Sequence, residues 1–236
     1  MNHQPILTLD LESTPSVDPA VHARIAEEIT PPGSMKKAET IAAWEVNEKP
    51  ALVHEAILKT SFDGALGHIA VIGIAVNDDQ PITFFEDSTD PHQHETKVLR
   101  DFFYFVRQAY SPSSQQRPKW VGHNLIAFDL RMLFQRAVIL GIQPPPFIPF
   151  SAKPWDDILH DNMLRWSLGD KTMKISQDKL SRALGQPGKQ GITGADVWPL
   201  VAAGRIKEVA AYCADDVIQA RANYYRMNFI TQSVAA

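Results

Sequence analysis

The sequence predicts an α/β fold in which a mixed central sheet is flanked by helices. Two observations carry this prediction. Apolar runs at residues 5–11, 68–76 and 82–85 have the length and content of β-branched residues that are typical of strands. Residues 94–109 then repeat apolar side chains at helical spacing, and the rest of the chain alternates short strands with helices. An order of three strands, a helix, a strand and a helix predicts an antiparallel meander joined to parallel strands in one sheet.

The first half of the chain is predicted from apolar runs and breakers. Residues 5–11 form a buried strand, which Thr14-Pro15 ends. Residues 16–60 are helical in pattern but interrupted at Pro31-Pro32-Gly33, so we interpret them as a helical insertion that lies over the sheet. Residues 68–76 form the second strand, and a turn at residues 77–80 leads into a hairpin strand.

The second half is predicted from caps and turn residues. Asn124 follows a short strand and is predicted as the N-cap of a helix that ends near Gly141. Ser176 is predicted as the cap of another helix. The remaining predictions are a polar loop at 111–118, a strand at 119–121, a proline-rich crossover at 144–154, a last strand at 155–159, a glycine-rich loop at 186–194, a short helix at 195–203 and a final helix at 205–227.

The composition is that of one ordinary globular domain over residues 1–236. The chain is 44% hydrophobic and 21% charged, with a formal net charge of −4. Cys213 is its only cysteine, which excludes a disulfide within the chain and a zinc site built on several cysteines. No run approaches the ~20 apolar residues of a membrane span, and no signal peptide is apparent. We therefore expect a cytoplasmic protein without a membrane partner.

Two carboxylates in the first strand need an explanation. Asp10 and Glu12 are two residues apart, so in a strand they point to the same face. Two anions on one face of a buried strand repel each other and are costly to desolvate. A divalent cation would make this arrangement favourable, so we interpret the stretch as half of a metal site.

Two later acids are candidates for the other half. Asp129 falls in the first turn of a predicted helix, where a carboxylate is favoured by the helix N-terminus and could simply stabilise the helix. In the final helix, Asp216 lies at the edge of the apolar stripe, whereas Asp215 lies on the wetter side. Tyr212 is four residues before Asp216 and shares nearly the same face, so both side chains can enter one cleft.

Three motifs follow one another along the chain: Asp10-x-Glu12, Asn124-x-x-x-Phe128-Asp129 and Tyr212-x-x-x-Asp216. Together they resemble the DEDD superfamily of 3′–5′ exonucleases, in the branch that carries a tyrosine (DEDDy). The histidine branch would need a histidine at position 211, which is Ala211. The sequence most resembles stand-alone exonucleases related to the proofreading domain of family B DNA polymerases.

This resemblance implies an RNase H-like fold and hydrolysis of phosphodiester bonds by two divalent cations, Mg²⁺ or Mn²⁺. It implies that these cations are held by Asp10, Glu12, Asp129 and Asp216, with Asp10 bridging them. Tyr212 would orient the attacking water, because a phenol with an ordinary pKa of ~10 is a poor base at neutral pH.

The implied substrate is nucleic acid with a free 3′ end, single-stranded DNA being favoured, and replication or repair proteins are possible partners. An exoribonuclease of the same branch and an inactive nucleic-acid-binding or replisome-binding module remain alternatives. His123 and Asn124 could contact the terminal nucleotide or satisfy their own turn. Phe62 and Leu66 could contact bases or belong to the core. A rim that tracks phosphates, or simply a solvated helix face, is predicted at Lys171, Lys174, Lys179, Arg182 and Lys189.

Overall fold

The computed structural model describes residues 4–87, 91–109, 117–170, 172–189 and 191–230. It contains a five-stranded sheet in the order β3-β2-β1-β4-β5. Helices lie against both faces of this sheet. The strands are β1 (Ile6–Thr14), β2 (His68–Val76), β3 (Ile82–Phe84), β4 (Lys119–Gly122) and β5 (Leu159–Asp161).

The sheet is mixed, as predicted. β1 and β2 pair antiparallel, and so do β2 and β3, which gives the expected meander. β4 pairs parallel with both β1 and β5. The last residue of β1 that pairs with β4 is Thr8, so β1 continues past the end of its parallel neighbour. Asp10 and Glu12 therefore project at the edge where β1, β4 and β5 have their carboxyl ends.

The helices form two layers around the sheet. Side chains of α4 and α5 pack on Leu7, Leu9 and Leu11, which face one side of β1. Side chains of α8 and α9 pack on Val71 of β2 on the other side. The helices are α1 (Pro19–Glu28), α2 (Ala38–Asn47), α3 (Lys49–Lys59), α4 (Pro91–Ala109), α5 (Asp129–Ile139), α6 (Asn162–Trp166), α7 (Gln177–Ala183), α8 (Val197–Ala202) and α9 (Ile206–Met227). Within the described residues, we find no helix that combines the length and apolarity needed to span a bilayer.

The insertion at residues 16–60 is helical, as predicted, but its helices pack mainly on one another. α1 and α2 each contact α3, and Trp44 is their buried aromatic residue at 2% exposure. The insertion reaches β1 through the short 3₁₀ turn Thr60–Phe62 that follows α3. The Ser16 backbone N–H donates to Thr60 Oγ1 at 2.8 Å, which ties the two ends of the insertion together. The expectation that it lies over the sheet therefore has to be corrected.

Two predicted elements are wrong. Residues 155–159 do not form the last strand; Trp155 lies in a turn closed by Asp156, whose carboxylate accepts from the Lys153 backbone N–H at 2.8 Å. Asn124 is not the N-cap of α5, which begins at Asp129, because Asn124 adopts a positive φ of 62° four residues before the Phe128 cap position. The short helix α6 was not predicted. Most of the predicted loop at 111–118 lies outside the described residues.

A buried ion pair joins the two helices on the Leu9 side of the sheet. Arg136 of α5 donates from Nε and Nη2 to the Glu95 carboxylate of α4 at 2.8 and 2.7 Å, and from Nη1 to the Gly64 carbonyl at 3.1 Å. Glu95 also accepts from the Ile69 backbone N–H at 2.8 Å. Burial alone would raise the pKa of Glu95, but hydrogen bonds from His68 and Arg136 bring it below its ordinary value. The pair therefore fixes α5 relative to β2 and to the loop after α3.

Candidate active site

The two acids of β1 share one face, as the alternation predicted. Leu9 and Leu11 are at most 2% exposed and point into the core, whereas Asp10 and Glu12 point to the opposite side. A carboxylate oxygen of Asp10, a carboxylate oxygen of Glu12 and the Cys213 sulfur lie within 4.8 Å of one another. Two carboxylates and the third turn of α9 thus meet at the edge of the sheet.

Asp129 is the first residue of α5, and its carboxylate turns towards β1. Its Oδ1 accepts a hydrogen bond from the Leu11 backbone N–H at 3.0 Å, and the residue is 1% exposed. Leu11 lies between Asp10 and Glu12, so this bond anchors the start of α5 between the two strand acids. Asp129 therefore does more than stabilise its own helix.

The last acid comes from α9, in the register that the helix pattern favoured. Asp216 is 4% exposed, whereas Asp215 faces solvent. Gln177, the first residue of α7, donates from Nε2 to the Asp216 carbonyl at 2.9 Å and to its Oδ1 at 3.1 Å. Sequence reasoning did not identify Gln177, although its position directly after the Ser176 cap was predicted.

Lys189 lies inside this group of acids, not on a rim. Its ammonium donates to Asp216 Oδ2 at 2.5 Å and to the Tyr212 hydroxyl at 2.6 Å. It also lies 4.5 Å from the centroid of the Tyr212 ring, where a cation is attracted to the aromatic face. The ammonium is therefore a positive charge that the protein itself supplies to Asp216.

The acids raise one another's pKa values. Burial and then the charge of Asp216 raise the pKa of Asp10 well above its ordinary value. Burial, followed by the charges of Asp10 and Asp216, does the same for Glu12. Burial and the charge of Asp10 raise the pKa of Asp129, and burial raises that of Asp216 although Lys189 opposes it. Such a group gains stability from a bound cation.

The residues present fit divalent cations. Four carboxylates are hard oxygen ligands, which suit Mg²⁺ or Mn²⁺. Cys213 would add a soft ligand only as a thiolate, but burial and then the charge of Asp10 raise its thiol pKa. The protonated thiol instead lies 3.5 Å from the Asp10 carbonyl, to which it donates. The chemistry of the site is therefore that of an oxygen-ligand centre.

Tyr212 is a neutral phenol in this environment. Burial and then the charge of Glu12 raise its pKa further above the ordinary value of a tyrosine. The hydroxyl is hydrogen-bonded to Asp216 and accepts from Lys189. Such a group can hold a water molecule in place by hydrogen bonding, but it cannot remove a proton at neutral pH.

The turn that contains His123 and Asn124 is held by two neighbouring segments. Asp161, at the end of β5, accepts from the Asn124 backbone N–H at 3.2 Å and from the Ile126 backbone N–H at 3.1 Å. Its carboxylate also caps α6. His123 Nε2 is paired with the Ile175 carbonyl at 2.9 Å, and burial lowers the pKa of this histidine. Both residues therefore use part of their polar groups to tie this turn to neighbouring segments.

The loop after the insertion brings aromatic side chains next to α5. Phe62 is 62% exposed, and its ring centroid lies 6.0 Å from that of Phe128. The alternative that Phe62 belongs to the core is therefore wrong, whereas Leu66 is partly buried. Arg131 donates from Nη2 to the Phe62 carbonyl at 3.0 Å, which fixes this loop to α5.

The other predicted cations divide into two kinds. Lys174 and Lys179 face solvent, as a rim or a solvated surface would require. Arg182 forms an ion pair with Asp178 at 3.0 Å and so has part of its charge satisfied. Lys171 lies outside the described residues.

The fold and the site define a class: an RNase H-like α/β domain with a group of acids at the carboxyl edge of its parallel strands. The fold is similar to that of the family B DNA polymerase from the hyperthermophilic archaeon Pyrobaculum calidifontis, with a TM-score of 0.54 and 16% sequence identity. The match covers 96% of this chain and 25% of the polymerase chain, so this chain spans about a quarter of that protein. No curated protein matches the sequence at a significant level.

Residues 62–236 match the family described as "Predicted 3'-5' exonuclease related to the exonuclease domain of PolB". The chain belongs to this family. The match begins at Phe62, directly after the helical insertion, so the insertion lies outside the matched residues.

Proposed function

We propose that this protein is a metal-dependent exonuclease that removes nucleotides from the 3′ end of single-stranded nucleic acid, DNA being favoured. The observation that carries the proposal is the meeting of acids from three separate elements, β1, α5 and α9, at one edge of the sheet. Family membership supports the nuclease activity and its polarity.

The four acids have the roles of cation ligands in this proposal: Asp10, Glu12, Asp129 and Asp216. Two divalent cations, Mg²⁺ or Mn²⁺, would supply the acidified water and the positive charge that phosphodiester hydrolysis requires. The charge of Asp10 raises the pKa values of both Glu12 and Asp129, which supports a shared set of cation ligands.

The chain's own residues orient these groups. Asp129 is held by the Leu11 backbone, and Asp216 is held by Gln177. The Tyr212 hydroxyl positions the attacking water through a hydrogen bond, and Lys189 holds that hydroxyl in place. Because Lys189 reaches both Asp216 and Tyr212, it links the cation ligands to the residue that positions the water.

DNA is favoured because the family is related to the exonuclease domain of a DNA polymerase. An exoribonuclease is the closest alternative, since discrimination depends on contacts with the 2′-hydroxyl group. A module that only binds nucleic acid is disfavoured, because a group of buried anions repels the phosphates that such a module must hold. Replication or repair partners and a cytoplasmic location stay predictions.

The test uses single-stranded DNA and RNA of one sequence, each labelled at the 5′ end, with Mg²⁺ or Mn²⁺. We expect a ladder of products that shortens from the 3′ end, with DNA degraded faster, and no ladder from the Asp10→Ala variant. Faster degradation of RNA would favour the exoribonuclease. The absence of products from both polymers with both metals would contradict the proposal.

A further inference from the structure

A cavity of about 400 Å³ opens beside α5, on the side that faces the proline-rich segment 144–154. Ile126, Leu130 and Phe134 line it from the α5 side, and Phe150 lines it from the proline-rich segment. Arg131 is its charged lining residue among those described. The cavity is therefore apolar and aromatic with one positive charge, and its volume is in the range of small-molecule sites.

The aromatic wall of this cavity is open to solvent at Phe134, whereas Phe150 is partly buried against the core. Phe134 is 48% exposed, and its ring centroid lies 5.4 Å from that of Phe150, with the ring planes inclined at 57°. Exposed phenyl faces are surfaces on which a planar apolar group can stack. Arg131 is also exposed. Its Nη2 donates one hydrogen bond to the Phe62 carbonyl, and the guanidinium has further N–H donors for a ligand.

The cavity and the candidate active site share helix α5 and the turn before it. Leu130 directly follows Asp129, and the Ile126 backbone N–H is bound by Asp161, which also holds the turn before α5. Arg131 lies between the cavity and the loop of Phe62, whose ring packs near Phe128. Helix α5 therefore carries an acid of the site at its first residue and, within its next two turns, Leu130, Arg131 and Phe134 of the cavity.

We infer that this cavity is a subsite for an unpaired nucleotide upstream of the scissile bond. The base would stack on Phe134 and Phe150, and the adjoining phosphate would pair with Arg131. Aromatic stacking and a cation beside the backbone are the two features by which proteins hold single strands without reading their sequence. The inference rests on the proposed function and assigns one contact of its substrate. An apolar protein side chain could fill the same space, but the positive charge of Arg131 and the position of the cavity on the helix that begins with Asp129 favour a nucleotide.

Measurements of DNA binding and of turnover test the subsite separately from the proposed catalysis. Binding is measured with Ca²⁺ in place of Mg²⁺, using single-stranded DNA of about 20 nucleotides with 2-aminopurine placed at successive positions from the 3′ end. We expect Phe134→Ala to weaken binding about 5- to 100-fold and to relieve the quenching of 2-aminopurine at one upstream position. Phe134→Trp should restore both, because it restores an aromatic face.

In a plot of the logarithm of the DNA association constant against the logarithm of the salt concentration, Arg131→Ala should make the negative slope shallower by about 0.7. This is the contribution of one phosphate contact on a single strand. For both alanine variants, the ratio of kcat/KM for the long strand to that for a dinucleotide should fall, because a dinucleotide does not reach the cavity. Val138→Ala is the matched control: it removes an exposed apolar side chain one turn beyond Phe134 on the same helix. The DNA affinity of Val138→Ala, the salt dependence of that affinity and its ratio of kcat/KM for the long strand to that for the dinucleotide should equal those of the unmodified protein.

Unchanged binding, salt slope and length ratio in Phe134→Ala and Arg131→Ala, with an active enzyme, would overturn the subsite while leaving the exonuclease intact. The cavity would then be assigned to a protein partner. A protein that binds the strand with the expected pattern but never cleaves it would support the subsite and contradict the proposed catalysis. Thermal denaturation of each variant checks that it is folded.

Discussion

Replacement of Lys189 by methionine separates the two roles that the site gives this residue. The ammonium is bonded to Asp216, whose side chain is 6% exposed, while that of Lys189 is 23% exposed. Removing one partner of a buried ion pair typically costs about 3–5 kcal/mol, and the partial exposure of Lys189 places this pair at about 3 kcal/mol. Lys189→Met should therefore lower the free energy of unfolding of the metal-free protein by that amount.

The same substitution should strengthen cation binding. The Lys189 ammonium occupies the Asp216 carboxylate and places a positive charge beside the other acids, so its loss frees this carboxylate for a cation and removes a competing charge. Mn²⁺ should then raise the unfolding free energy of Lys189→Met more than that of the unmodified protein. Turnover should nevertheless fall about 10- to 100-fold, because the charged hydrogen bond that holds the Tyr212 hydroxyl is lost.

Urea denaturation with and without Mn²⁺ measures the first two effects, and the rate at saturating Mn²⁺ measures the third. Lys179→Met is the control, because it removes an exposed lysine from the nearby helix α7. Equal stability of the metal-free Lys189→Met and unmodified proteins would refute the ion-pair reasoning. An equal response to Mn²⁺ would refute the electrostatic link between Lys189 and the acids.

Three further predictions follow from buried groups. Burial, followed by the charge of Arg165, lowers the pKa of His160 to about 3, so as the pH falls below 6.5 the unfolded chain binds a proton at this residue before the folded protein does. About 3 kcal/mol of stability should therefore be lost between pH 7 and 4. An equally steep loss of stability in His160→Gln would contradict this assignment to His160. Arg136→Met should cost about 3–5 kcal/mol in urea denaturation because it leaves Glu95 charged and buried. Lys97→Met, at an exposed ion pair, should cost far less stability, and similar costs for both variants would refute the argument. Tyr212→Phe should slow turnover more than it weakens Mn²⁺ binding, and unchanged turnover would remove this hydroxyl from the mechanism.

Much of the fold was predictable because it depends on local patterns. The alternation in β1 placed Asp10 and Glu12 on one face, and the apolar stripe of α9 separated Asp216 from Asp215. The Ser176 cap was also predictable, since its hydroxyl accepts from the Lys179 backbone N–H within the same turn. These features need only periodicity and cap chemistry, which the sequence displays directly.

The errors concern contacts between distant segments. Asn124 resembles an N-cap by residue type, but Asp161 of β5 binds its backbone N–H and holds it outside the helix. Lys189 looked like a rim cation because nothing near it in the sequence shows that its loop folds back onto α9. Gln177 was missed for the same reason: its partner, Asp216, is separated from it by 39 residues.

In the proposed function, Asp216, the strand acids and Asp129 hold the cations for cutting nucleic acid from its 3′ end. The most direct measurement compares Asp216→Asn with Asp215→Asn on the same single-stranded DNA, labelled at the 5′ end in one reaction and at the 3′ end in another. We expect Asp215→Asn to give a 5′-labelled ladder and to release the 3′ label as mononucleotide, while Asp216→Asn gives neither product. Equal activity of the two variants would contradict the role of Asp216, and release of the 5′ label as the first product would contradict the 3′–5′ polarity.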